Sequence, residues 1–150
     1  MIDRSWIGRE LPASTFDIER GRLTFFAQAI GETDPVYRDP EAARAAGHPD
    51  VPAPPTFLFS GELDSGALEH LVREMGLDLF RVLHGEQTFT YHALAYAGER
   101  MTIRSRIDDI YERKNGALEF IVKSTRITND SDVLVAEARS LIVIRNPGKR

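Results

Sequence analysis

The sequence predicts an α+β fold, with helices and loops through the first half and about four antiparallel strands after them. Two patterns carry this. Up to about residue 75, apolar residues recur at helical spacing between glycine- and proline-bearing breaks, and beyond it they alternate with polar ones. A third observation sets the strand direction: Lys114-Asn115-Gly116 stands between two alternating runs and is a hairpin signal.

In chain order, Leu23, Phe26, Ala27 and Ile30 fall at i, i+3, i+4 and i+7, one face of an amphipathic helix. Asp17 is its expected N-cap and Gly31 its stop, with Gly21 weakening the first turn. Asp39-Pro40 opens a second, short helix: an acidic cap, proline at the first helical position, an alanine-rich body and Gly47 after its end. "HPDVPAPPTFLF" follows, and its prolines hold the chain extended. Thr56 to Met75 reads as a central helix, interrupted near Gly61–Gly66.

The strands come next. In "LHGEQTFTYH" Phe89 and Tyr91 share one face, Thr88 and Thr90 the other. "MTIRSRI" sets Met101, Ile103 and Ile107 opposite Thr102, Arg104 and Arg106. "ALEFIVKSTRI" and "VLVAEARSLIVIR" are separated by the turn Thr128–Asp132. In the last run Leu141, Ile142, Val143 and Ile144 are all apolar, so both faces of this strand end are expected to be covered. A helix covers one face of a sheet, and a second chain is the simplest cover for the other. No repeat, low-complexity tract or linker interrupts the pattern, which predicts one domain over residues 1–150.

Composition narrows the function classes. A chain of 150 residues with 42% hydrophobic and 28% charged residues is ordinary for a globular protein able to bury its own core. A net charge of −4 argues against nucleic acid as the partner. With no cysteine, disulfides, thiolate nucleophiles and cysteine–zinc sites are excluded. The N-terminus MIDRSWIGRE lacks a signal-peptide core and no apolar stretch approaches a membrane span, so a cytoplasmic location is expected.

One stretch is specific. A phenylalanine-bearing helix ending in Ala-Ile-Gly, then Glu32-Thr33-Asp34-Pro35-Val36-Tyr37-Arg38-Asp39-Pro40, then Ala42-Ala43 and Gly47, resembles the MaoC-like hydratase family. It is most similar to the N-terminal branch of the FAS1-like dehydratases. Ala53-Pro54-Pro55-Thr56-Phe57, His84-Gly85-Glu86-Gln87 and Ala97-Gly98-Glu99 extend the likeness from about Phe16 to Arg145. The resemblance implies a hot dog fold, a long central helix wrapped by a curved antiparallel sheet, pairing with a second hot dog. It also implies an activity: R-specific hydration of enoyl thioesters, or dehydration of 3-hydroxyacyl thioesters, on acyl-CoA or acyl-ACP.

That chemistry needs a base to deprotonate water, an acid to protonate the α-carbon and donors for the enolate-like oxygen. In catalytic members an aspartate just after the helix-ending glycine and a histidine five residues later supply the first two. Here the matching positions hold Glu32 and Tyr37. The carboxylate remains, one methylene longer; the imidazole does not. A free phenol titrates near pH 10 against about 6.5 for imidazole, so tyrosine is a poor base at neutral pH.

Glu32, Tyr37 and His84 are the candidate catalytic residues, against plainer roles: Glu32 a solvated loop residue, Tyr37 an aromatic under the loop, His84 a strand-start histidine. Asp34 is expected to start a turn, and Asp39 to be a cap. The start of the central helix offers free N–H groups and a positive dipole end, so Thr56, Phe57 and Leu58 are candidate substrate-binding residues, with Thr56 also a candidate N-cap. Phe57, Leu58 and Phe59 would otherwise be plain core. Gly85 and Glu86 join His84 as a candidate lining of the acyl cleft. In an unbulged strand His84, Glu86 and His92 would share a face, but no third close ligand accompanies them and no metal or other cofactor is expected. Three functions follow: a non-catalytic subunit holding the acyl chain for a MaoC-like partner with the intact pair, an enzyme in its own right, or a ligand-binding or structural hot-dog dimer.

Overall fold

Five strands form one antiparallel sheet in the order β1-β3-β4-β5-β2, and the computed structural model describes residues 1–146 of the chain. The strands are β1 (Ser14–Asp17), β2 (Val82–Tyr91), β3 (Arg100–Arg113), β4 (Leu118–Asn129) and β5 (Leu134–Arg145). The helices are α1 (Arg20–Ala29), α2 (Pro40–Ala45), α3 (Leu58–Asp64) and α4 (Ala67–Glu74). Inward residues of β3 and β4 alternate as expected: Met101, Ile103 and Ile107 on one strand, Ile121 and Ile127 on the next, all buried. Lys114, Asn115 and Gly116 all take positive φ and close the β3–β4 hairpin. Asn129 Oδ1 accepts from the N–H groups of Ser131 and Val133, each at 3.0 Å, and shapes the β4–β5 turn.

The first half needs corrections at Asp17, Ile30, Gly61 and Thr56. Asp17 caps no helix: it ends β1, the strand that periodicity missed, pairing with Arg100 of β3 at 2.6 Å. Four residues are too few to establish a period of two. Helix α1 starts three residues later, with Glu19 at its cap position and no side-chain cap bond. Leu23 and Ala27 are buried and Phe26 packs edge-on against Phe57, whereas Ile30 lies past the helix end and is exposed.

The central helix is interrupted, as expected. It stops at Asp64 and restarts at Ala67, with Gly66 at φ +69° providing the break. Gly61 does not break it. A Cβ there would lie 2.3 Å from the Phe16 ring, so glycine lets α3 lie directly on β1. Thr56 is not an N-cap either. It sits within the 3-10 turn Pro55–Phe57, and neither that turn nor α3 carries a side-chain cap. Asp39 does cap α2, accepting from the Glu41 N–H at 2.8 Å.

The doubly apolar end of β5 resolves into two faces. Ile142 and Ile144 are buried with Leu71, Ile107, Ile110 and Ile121 on the helix side. Leu141 and Val143 face the other way, in register with Val122 and Phe120, and the Phe120 ring stacks on Tyr111 at 4.9 Å.

Candidate functional site

Strand β2 lies at one edge of the sheet, paired only with β5. Its register slips between His84 and Glu86, where Gly85 forms a bulge. A Cβ on Gly85 would stand 2.8 Å from Val143 Cγ2 and 3.1 Å from the Leu141 carbonyl, so the bulge requires glycine. The extra residue re-aims the side chains. His84 pairs with Ile142 on the helix side, whereas Glu86 pairs with Leu141 on the opposite face. The shared face of His84, Glu86 and His92 therefore does not form. His92 instead meets Glu137 at 3.0 Å, and no group of three metal-ligating side chains occurs among the described residues.

On the helix side, a cleft of about 170 Å³ opens between α3 and β2. The His84 ring stacks on Phe59, centroids 4.8 Å apart and planes 15° from parallel. Leu63, Leu68, Val82 and Ile142 extend an apolar lining, and Glu62 and Lys123 are its charged members. These two were not legible as site residues from motifs. Both are buried, at 6% and 5% exposure, and Lys123 Nζ donates to Glu62 Oε2. Thr125 Oγ1 donates to Glu62 Oε1 at 2.8 Å and lies 2.9 Å from Ser105 Oγ. A signal was present: Lys123 occupies an inward position of β4, between Ile121 and Thr125, where a lysine needs an anion.

The acidic loop is elsewhere and is largely bonded to itself. Glu32 Oε1 accepts from the Asp34 N–H at 2.9 Å, Asp34 Oδ1 from the Val36 N–H at 3.0 Å, and Arg38 Nη2 donates to the Thr33 carbonyl at 2.6 Å. Asp34 is thus the turn starter expected of it. Tyr37, half-buried, ends the 3-10 turn Pro35–Tyr37. Neither Glu32 nor Tyr37 lines the His84 cleft.

Of the expected donors, Thr56 is exposed, while Phe57 and Leu58 are core residues outside the cleft lining. The Phe57 N–H donates to the Pro54 carbonyl at 2.9 Å and that of Leu58 to the Thr56 carbonyl. Displaced ionisations belong to other groups. Hydrogen bonds from Arg100 hold the Asp17 carboxyl below its ordinary value, and bonds from Arg20 and the Val51 N–H do the same for Asp50. Burial pushes the Tyr91 phenol up.

The family model of the FAS1-like dehydratase domain region matches residues 5–138. A UPF0336 protein of Saccharopolyspora erythraea is 40% identical over 147 residues, covering 96% of this chain and 92% of that one. Another, from Streptomyces griseus, is 44% identical over 112 residues, 73% of each chain. Among solved structures, the HadBC (3R-hydroxyacyl-ACP dehydratase) complex of Mycobacterium tuberculosis superposes with a TM-score of 0.79 at 24% identity, over 92% of this chain and 96% of that one. The (R)-hydratase of A. caviae gives 0.70 at 16% identity, over 91% and 94%. The ChsH1–ChsH2 complex of M. tuberculosis gives 0.67 at 16% identity, over 93% and 98%. At these identities the structures establish the fold, a hot dog. The model match and the relatives establish more: the chain belongs to the FAS1-like dehydratase domain family.

Proposed function

We propose that this chain is the acyl-chain-holding, non-catalytic subunit of a 3-hydroxyacyl-thioester dehydratase or enoyl-thioester hydratase, acting as one hot-dog unit beside a MaoC-like chain that carries the aspartate–histidine pair. One observation carries the reading. The loop that should hold the base has a glutamate whose Oε1 accepts from its own backbone and a tyrosine in place of imidazole, while an apolar cleft stands open at the sheet edge. Holding an apolar chain needs the second feature only. Taking a proton from water at neutral pH needs the imidazole that the loop lacks.

The unpaired edge of β2 supports a partner at that place, because its free N–H and C=O groups invite another strand. HadBC and ChsH1–ChsH2 are themselves two-chain complexes. The ligand is an acyl thioester of CoA or of acyl carrier protein, and the partner is a catalytic MaoC-like chain or, in a homodimer, a second copy. No helix among the described residues is long and apolar enough to cross a membrane.

The test is to assay crotonyl-CoA hydration with this chain alone, with a MaoC-like chain carrying the aspartate–histidine pair, and with the two mixed. Activity that rises only on mixing, together with a complex in size-exclusion chromatography, is the expected result. Robust turnover by this chain alone, abolished by Glu32→Gln, would make it an enzyme in its own right with His84 the first candidate for the acid. A monodisperse monomer near 16.9 kDa that neither turns over nor changes the partner's activity would remove the proposal.

A further inference from the structure

Two cavities lie against the central helices, and Glu62 lines the first of them. The first is the His84 cleft, about 170 Å³, opening at the β2 edge. The second, about 300 Å³, lies toward β1 beneath the break between α3 and α4, and is lined by Ser14, Ser65, Gly66, Ile103 and Ser105 among others. Lys123 and Leu68 line both. We infer that Glu62, Lys123 and Leu68 form a depth stop, the wall that sets how long an acyl chain this subunit accepts. The inference rests on the acyl-holding reading and adds which residues determine chain length.

The physical case begins with the cost of such a wall. A buried ion pair surrenders the hydration of both charges, and apolar side chains of similar volume would often serve stability as well or better. This pair is nevertheless completed by Thr125 and Ser105, so that each Glu62 oxygen has a donor. A side chain held this way does not rotate aside for an incoming methyl group, since that would strand a charge in an apolar site. A methionine or leucine at the same place would yield far more easily. The pair therefore makes a rigid end to an apolar cleft, and beyond it lies unfilled space. The helix break matters here as well: Ser65, Gly66 and Ala67 roof the second cavity, where a continuous helix would lay a regular turn.

The experiment measures binding of saturated linear alcohols of increasing length, C8 to C18, to the full chain by calorimetry. In the wild type each added methylene should raise affinity about fourfold while it is being buried, and then the gain should stop. In Glu62→Ala/Lys123→Met the gain should continue for several more carbons. Leu68→Ala, which keeps the ion pair and thins the apolar part of the same wall, should also lengthen the limit, and it decides the matter if the double variant does not fold. An unchanged limit in every variant that folds overturns the inference, as does absence of alcohol binding to all of them. Because the alcohols carry no thioester, these outcomes stand apart from the mixing assay, where the acyl-holding role succeeds or fails by itself.

Discussion

Removing Lys123 alone should harm the protein far more than removing Lys123 and Glu62 together. In Lys123→Met the Glu62 carboxylate stays at a site 6% exposed with only the Thr125 hydroxyl to hold it. Breaking a buried pair from one side typically costs about 3–5 kcal/mol. For a chain of this size each kcal/mol moves Tm by roughly 2–4 °C, so the variant should melt roughly 6–20 °C lower. In Glu62→Leu/Lys123→Met both charges go, two apolar chains fill comparable volume, and Thr125 keeps Ser105 as its partner at 2.9 Å. Such replacements are often neutral or stabilising by about 1–4 kcal/mol. The double variant should thus melt at or above the wild-type temperature. Thermal and urea denaturation followed by circular dichroism on the wild type, both single variants and the double complete the cycle. If the single losses add up in the double variant, the two groups do not act as a pair and the reasoning about this site fails.

Four further perturbations have directions set by the structure. Gly61→Ala drives a methyl toward the Phe16 ring, 2.3 Å from where it would sit, and should cost about 1–3 kcal/mol by overpacking; Phe16→Leu in the same background should recover part of it. Asp39→Ala should lose about 1 kcal/mol with the α2 cap, and a selective kinetic effect at unchanged stability would contradict its assignment. Because Arg100 lowers the Asp17 carboxyl below its unfolded value, its contribution is present at neutral pH and fades as pH falls through the lowered folded value. The stability gap between wild type and Asp17→Asn should therefore be small at pH 7 and vanish in acid; a gap that widens on acidification would reverse the sign. Finally, Glu32→Asp/Tyr37→His should create or raise crotonyl-CoA hydration, within the roughly 10²–10⁴-fold that a placed acid–base group is worth; an inert double variant would show that the loop is no longer positioned for it.

The strands from β3 onward were legible because each is long enough, at 12 residues or more, for burial to impose a period of two on the sequence. Asp39 was legible for a different reason: an acid followed by proline uses up both groups in one local geometry. What escaped were features set by contact between distant segments. Strand β1 owes its existence to β3, and Asp17 was misassigned because an acid before an apolar-periodic stretch looks like a cap whichever partner it has. Gly61 and Gly66 read as one interruption, yet one answers to the Phe16 ring and the other to a positive φ. The bulge at Gly85 reversed the face of Glu86, which no count of alternating residues along one strand could reveal.

Glu32 and Glu62 make the physical distinction on which the functional reading turns. Glu32 stands where the family resemblance expects the base, but its carboxylate accepts from its own loop, two residues on, and its place requires no ligand to explain it. Glu62 matches no motif, yet it is withdrawn from water and answered by a lysine and a threonine that come from a strand 61 and 63 residues further along the chain. Local polar contacts arise easily from the composition of a turn. A charge pair assembled from two layers of a fold forms only when the fold is complete, and it lines the apolar cleft between α3 and β2. If the chain holds an acyl tail there, its selectivity belongs to Glu62 and Lys123 rather than to the loop where the family's chemistry would place attention.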